Sequence, residues 1–124
     1  MNKPSKEMIR NVKQNVVTNA DTTFLLHETK AGEFLTVTSL CVTNRDGAKT
    51  LKVIIGVKVG ATLYAYKTIP ALAALYTSLT IDMPMYLREH EDLAVLLNGS
   101  AADAEYTIAW SGFINRPDIN EIAE

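Results

Sequence analysis

Thr50-Leu51-Lys52-Val53-Ile54-Ile55-Gly56-Val57-Lys58-Val59-Gly60 is the stretch that decides the fold class. Leu51, Val53, Ile55, Val57 and Val59 fall on one side of an extended backbone, and Lys52, Ile54, Gly56 and Lys58 on the other, because successive strand side chains alternate. One face therefore belongs to a core and the other is at least partly wet. Gly60 supplies a reversal into 61–68, where Leu63 alternates with Tyr64 and Ala65 with Tyr66. Just upstream, Asn44-Arg45-Asp46-Gly47 carries residues that tolerate positive φ, and it predicts a tight hairpin into the 50–59 strand.

Working outward, the same period-two signal recurs. Thr22 to Glu28 reads as a strand, followed by the turn-like Thr29-Lys30-Ala31-Gly32. In 33–44 the apolar phase slips between Leu35/Val37 and Leu40/Val42, which predicts a bulge near Thr38 or Ser39. Pro70-Ala71-Leu72-Ala73-Ala74-Leu75 reads as a short crossing helix or an irregular loop. In 77–87, Leu79, Ile81, Met83, Met85 and Leu87 share a face, and Pro84 argues for a sheet edge or a bulge. Arg88-Glu89-His90-Glu91-Asp92 forms a charged turn before a strand over 93–97. A last strand over 105–115 places Tyr106, Ile108, Trp110, Gly112 and Ile114 on one face, with Tyr106 and Trp110 in the core.

These runs predict an all-β chain, a two-sheet β-sandwich of jelly-roll type with about seven or eight strands and short flexible tails. Three stretches follow. Residues 1–20 are an N-terminal arm or first strand, with strand character strongest over 12–18. Residues 21–115 form the sandwich, and 116–124 an acidic tail.

Composition narrows the function. The 124 residues carry 12 Lys and Arg against 14 Asp and Glu, spread without the basic stripe that phosphate binding needs, so nucleic acid is not the expected partner. Apolar runs are broken well before the roughly 20 residues that span a bilayer, and no export signal is legible at the N-terminus. No membrane is expected, and the protein should stay in the compartment where it is made. Cys41 is the single cysteine. It reads as core filling, because no neighbouring run supplies a base or positive field for a thiolate.

Catalytic chemistry is not expected either. The two histidines, His27 and His90, share no ligand spacing, and His27 reads as a strand histidine on the polar face. Glu89, Glu91 and Asp92 read as a solvated turn, and the glycines form no phosphate-binding pattern. No cofactor is implied. The candidate partner contacts are Tyr64, Tyr66, Pro84 and Tyr86: tyrosines combine apolar area with a hydroxyl, and Pro84 leaves an edge unpaired. The same tyrosines would also suit a carbohydrate- or small-ligand-binding face.

The runs Leu35 to Asn44 with Asp46-Gly47, Glu91-Asp92-Leu93-Ala94-Val95, and Tyr106-Thr107-Ile108-Ala109-Trp110-Ser111-Gly112-Phe113 together resemble small β-sandwich proteins of tailed-phage particles. Both capsid decoration (cement) proteins and small neck or tail components share the pattern, which covers 22–115. The resemblance implies a virion structural protein assembled in the host cytoplasm. It also implies a homo-oligomer that binds other copies of itself and major capsid or tail proteins through terminal arms.

Overall fold

The computed structural model describes residues 5–99 and 103–116. Among them there is no helix, and nine strands form two antiparallel sheets. They are β1 (Ser5–Val17), β2 (Thr22–Glu28), β3 (Phe34–Asn44), β4 (Leu51–Val59), β5 (Thr62–Leu72), β6 (Thr77–Thr80), β7 (Met85–Leu87), β8 (Asp92–Asn98) and β9 (Ala104–Arg116). One sheet runs β1-β9-β3-β6, with β7 also on β3, and the other runs β2-β8-β4-β5. With β6 and β7 taken as one interrupted strand, the pairs nest from the outermost to the central β4–β5 hairpin, which is jelly-roll order. The expected short flexible tails fall largely on 1–4 and 117–124, outside the described residues.

Alternation explains the core. Leu35, Val37, Leu40 and Val42 of β3 and Tyr106, Ile108, Trp110 and Ile114 of β9 face Leu51, Val53 and Ile55 of β4 and Leu93, Val95 and Leu97 of β8, all of them buried. The phase slip in β3 is a bulge: pairing with β9 passes from Val37 to Ser39, Thr38 is the extra residue, and the apolar set stays on the core side.

Four local expectations are corrected. Asn44-Arg45-Asp46-Gly47 is not a hairpin, because β3 and β4 lie in different sheets. It is a crossing, held by Asp46 Oδ2, which accepts from the Ala48 and Lys49 N–H groups at 3.1 and 2.8 Å. Asn44, fully buried, joins both ends of the crossing by donating to the carbonyls of Lys49 and Leu72 at 2.8 and 2.9 Å. Pro70-Ala71-Leu72 extends β5 instead of starting a helix or loop, as an edge strand has no need of the missing proline donor. The chain then reverses through Leu75 and Tyr76, both at positive φ.

The 77–87 run is two short strands, parted by the bend at Asp82 and Met83 and by Pro84. Its edge position is as expected. The first strand begins at Ser5, well before Val12, because β9 offers it an unbroken partner.

Candidate functional site

The charged turn over 88–92 is tied into the structure. Glu89 accepts from the Gly32 N–H at 2.7 Å and Glu91 from the Arg88 N–H at 2.6 Å, while the His90 N–H donates to the Thr29 carbonyl at 2.6 Å. The charged turn thereby clips onto the β2–β3 loop. Among the described residues no three His, Cys, Asp or Glu side chains converge to hold a metal ion. Cys41 is not core filling: the β3 bulge fixes a phase that buries Leu40 and Val42 and turns Cys41 to the outer face of its sheet. His27 is likewise not on a polar face. A second bulge, at Leu26, sets it opposite Leu93 on the core side, 6.0 Å from Trp110 between ring centroids.

Part of the exposed apolar area lies at the two margins of the sandwich. At the first, β5 of one sheet lies alongside β6 and β7 of the other. Lys67 donates to the Thr80 carbonyl at 2.7 Å and to Asp82 at 2.8 Å, and the Tyr66 hydroxyl donates to the Met83 carbonyl at 3.1 Å. Tyr66 reaches across because it is the extra residue of a bulge between Ala65 and Lys67.

Two of the four candidate contact residues meet here, Tyr66 and, next to Met83, Pro84. Tyr64, 60% exposed, stands opposite Val57 near the β4–β5 turn. Tyr86, 75% exposed, lies opposite Thr36 on the outer face of its sheet, over a depression of about 400 Å³ that it lines with Phe34 and Arg88.

At the second margin β1 and β2 are the edges. β1 pairs with β9 along all 13 of its residues with no bulge, and among the described residues its other side has no neighbouring strand in the sheet. Asn11, Lys13 and Asn15 stand opposite Trp110, Ile108 and Tyr106, on the core side, yet are exposed because β1 overhangs the facing sheet. A cleft of about 290 Å³ opens there, lined by Lys13, Leu25, Leu26, Ile108 and Trp110 among others. The Lys13 ammonium sits 4.6 Å from the Phe24 ring centroid at its side. The outer face of β1 carries Met8, Val12 and Val16, exposed to 71%, 61% and 45%.

One corner of this margin is pinned. Arg116 donates to Glu33 at 2.9 and 3.0 Å and to Glu7 at 3.1 Å, joining β9, the β2–β3 loop and β1. Burial by itself would raise the Glu33 carboxyl, but the Lys30 N–H and the Arg116 guanidinium outweigh it and hold the group below its usual range. Hydrogen bonding to Glu7 and Glu33 raises Arg116 further, against a burial effect that lowers it.

In the sequence, strand character at this margin is marked only over 12–18. Polar residues on both faces of β1 hid its length, and only its pairing with β9 reveals an unbulged edge.

No protein-family model matches the sequence, and no curated protein matches it. Solved structures are similar in fold. A chain from the acid-stable capsid of the Helicobacter pylori bacteriophage KHP30 is 10% identical with a TM-score of 0.59, the match covering 92% of this chain and 95% of that one. A chain from the disulfide-linked pili of Bacillus endospore appendages is 18% identical with a TM-score of 0.50, covering 92% of each. A chain of the infectious bursal disease virus Gx strain is 14% identical with a TM-score of 0.49, covering 94% of this chain but 33% of that one. At these identities the likeness is one of fold.

Proposed function

We propose that the chain is a non-enzymatic structural protein that works through its surfaces in a symmetric assembly, and within that class a decoration protein of a phage capsid. The observation that carries this reading is where the exposed apolar area lies. Among the described residues it sits on outer sheet faces, strand edges and turns, while the carboxylates of the charged turn and of Glu33 are engaged with backbone N–H groups or with Arg116. Large apolar groups on a sheet face or edge mark protein contact.

The near end-to-end match with a phage capsid chain supports the finer assignment, since that chain too is about one jelly roll in size. The partners would be other copies of this chain and a major capsid protein, on a virion assembled in the host cytoplasm. Against the capsid protein, Tyr66 and Pro84 would supply contacts at the β5–β7 margin, Tyr64 near the β4–β5 turn and Tyr86 on the outer face of its sheet. A subunit of a tail, neck or pilus-like filament is the second reading, favoured by the match with the endospore appendage.

Native mass spectrometry of the purified chain, alone and mixed with assembled phage shells and tails, tests the proposal. A defined homo-oligomer, or saturable addition to shells, is expected. A protein that stays monomeric at every concentration and joins neither particle would overturn it.

A further inference from the structure

β1 is the longest sheet edge among the described residues. Exposed strand edges invite pairing and are commonly blunted by shortness, bulges, proline, cover, or charged side chains, lysine above all. The other edges show those devices: β2 and β5 are bulged, and β6 and β7 are short and parted by Pro84. Among the described residues β1 has no bulge, proline or covering strand over 13 residues, about 43 Å at the usual rise, and its guard is charge alone. It is also basic, with Lys6, Arg10 and Lys13 against Glu7, and Glu7 is taken by Arg116.

The segment 117–124 that follows β9 is the charge complement. It carries Asp118, Glu121 and Glu124 and no basic residue. The chain leaves β9 at Arg116, beside Ser5, the first paired residue of β1. β9 runs antiparallel to β1, so at Arg116 it points past the start of β1. Eight extended residues reach about 26 Å, over half the length of β1.

Spacing agrees as well. Arg10 and Lys13 are three positions apart, as are Glu121 and Glu124, with Val12 and Ile122 between them. An antiparallel register that puts Glu124 opposite Arg10 therefore puts Ile122 opposite Val12 and Glu121 opposite Lys13. Opposite charges and paired β-branched side chains are favourable cross-strand neighbours.

We infer that segment 117–124 of a second copy adds as a strand to the free edge of β1 in this register, which rests on the self-associating role proposed above. The strand supplies backbone pairing, and its acidic side chains select the basic edge over the other edges of the fold. The experiment uses full-length chains in a Cys41→Ser background. Copies with Val12→Cys are mixed with copies with Ile122→Cys under mild oxidation, with Val59→Cys as the control partner for position 122.

Disulfides between positions 12 and 122 should exceed those between 59 and 122 by about tenfold, as directly opposed strand residues meet the bonding geometry. Equal yields, or crosslinks joining position 12 to position 12, would overturn the inference. Separately, Lys13→Glu or Glu121→Lys should each weaken self-association by about fivefold, and the double exchange should restore it. Association that ignores all three variants would sink the strand addition, yet would leave the wider structural role standing.

Discussion

The two margins of one sandwich are built in opposite ways. Where β5 meets β6 and β7, Lys67 and Tyr66 reach from one sheet to backbone carbonyls of the other, and bulges and Pro84 break up both edges. Where β1 meets β2, the sheets part over a cleft, and β1 runs past the core as a straight strand. A margin sutured by its own side chains is finished within one chain, whereas one ending in unpaired backbone leaves pairing groups for another.

The contrast breaks most severely at Gly56. A Cβ there would run into the carbonyl oxygen of Tyr64, which the bulged β5 presents at close range. Gly56→Ala should cost about 3 kcal/mol, because backbone has to move to relieve the overlap. Chemical denaturation measures it, and a loss below about 1 kcal/mol would show that the sutured margin is looser than drawn.

Asn44→Ala comes next. It strips partners from the buried Leu72 carbonyl and the Lys49 carbonyl, and also removes the oxygen that accepts from the Asp46 N–H. A loss of about 2 kcal/mol is expected by the same measurement, and a neutral change would remove Asn44 from the crossing.

The smallest effect belongs to the pinned corner of the unfinished margin. Glu33 ionises more readily folded than unfolded, so its contribution is fully present above its ordinary pKa of 4.5 and fades as pH falls through the lower folded value. Wild-type stability should therefore fall more steeply than that of Glu33→Gln between about pH 5 and 3. Asp21 and Asp46, also held low by hydrogen bonds, are common to both proteins. Parallel melting curves across that window would show that Glu33 does not tie β9 to the β2–β3 loop.

The sandwich was legible because most of it obeys one rule. Alternation in β4 and the phase slip at Thr38 survive in the structure, since period two reports burial directly. What failed needed topology. Asp46-Gly47 announces a turn, but not whether the chain returns to the same sheet or crosses to the other. The bulge at Leu26 carries no sequence mark, so His27 took the wrong face.

The margins were less legible still. Pro84 correctly signalled an edge, yet the contact between Tyr66 and Met83 joins strands of different sheets and has no local trace. β1 was hidden for a related reason. A strand that overhangs its core keeps polar residues on both faces, so only its partner β9 identifies it.

Amide hydrogen exchange, followed from dilute to associating concentrations, tests most directly whether copies join through the edge of β1. Exchange in 5–17 should slow as association proceeds, while β5, β6 and β7 stay unchanged. Slowing confined to β5, β6 and β7, with β1 unaffected in the associated protein, would contradict the account.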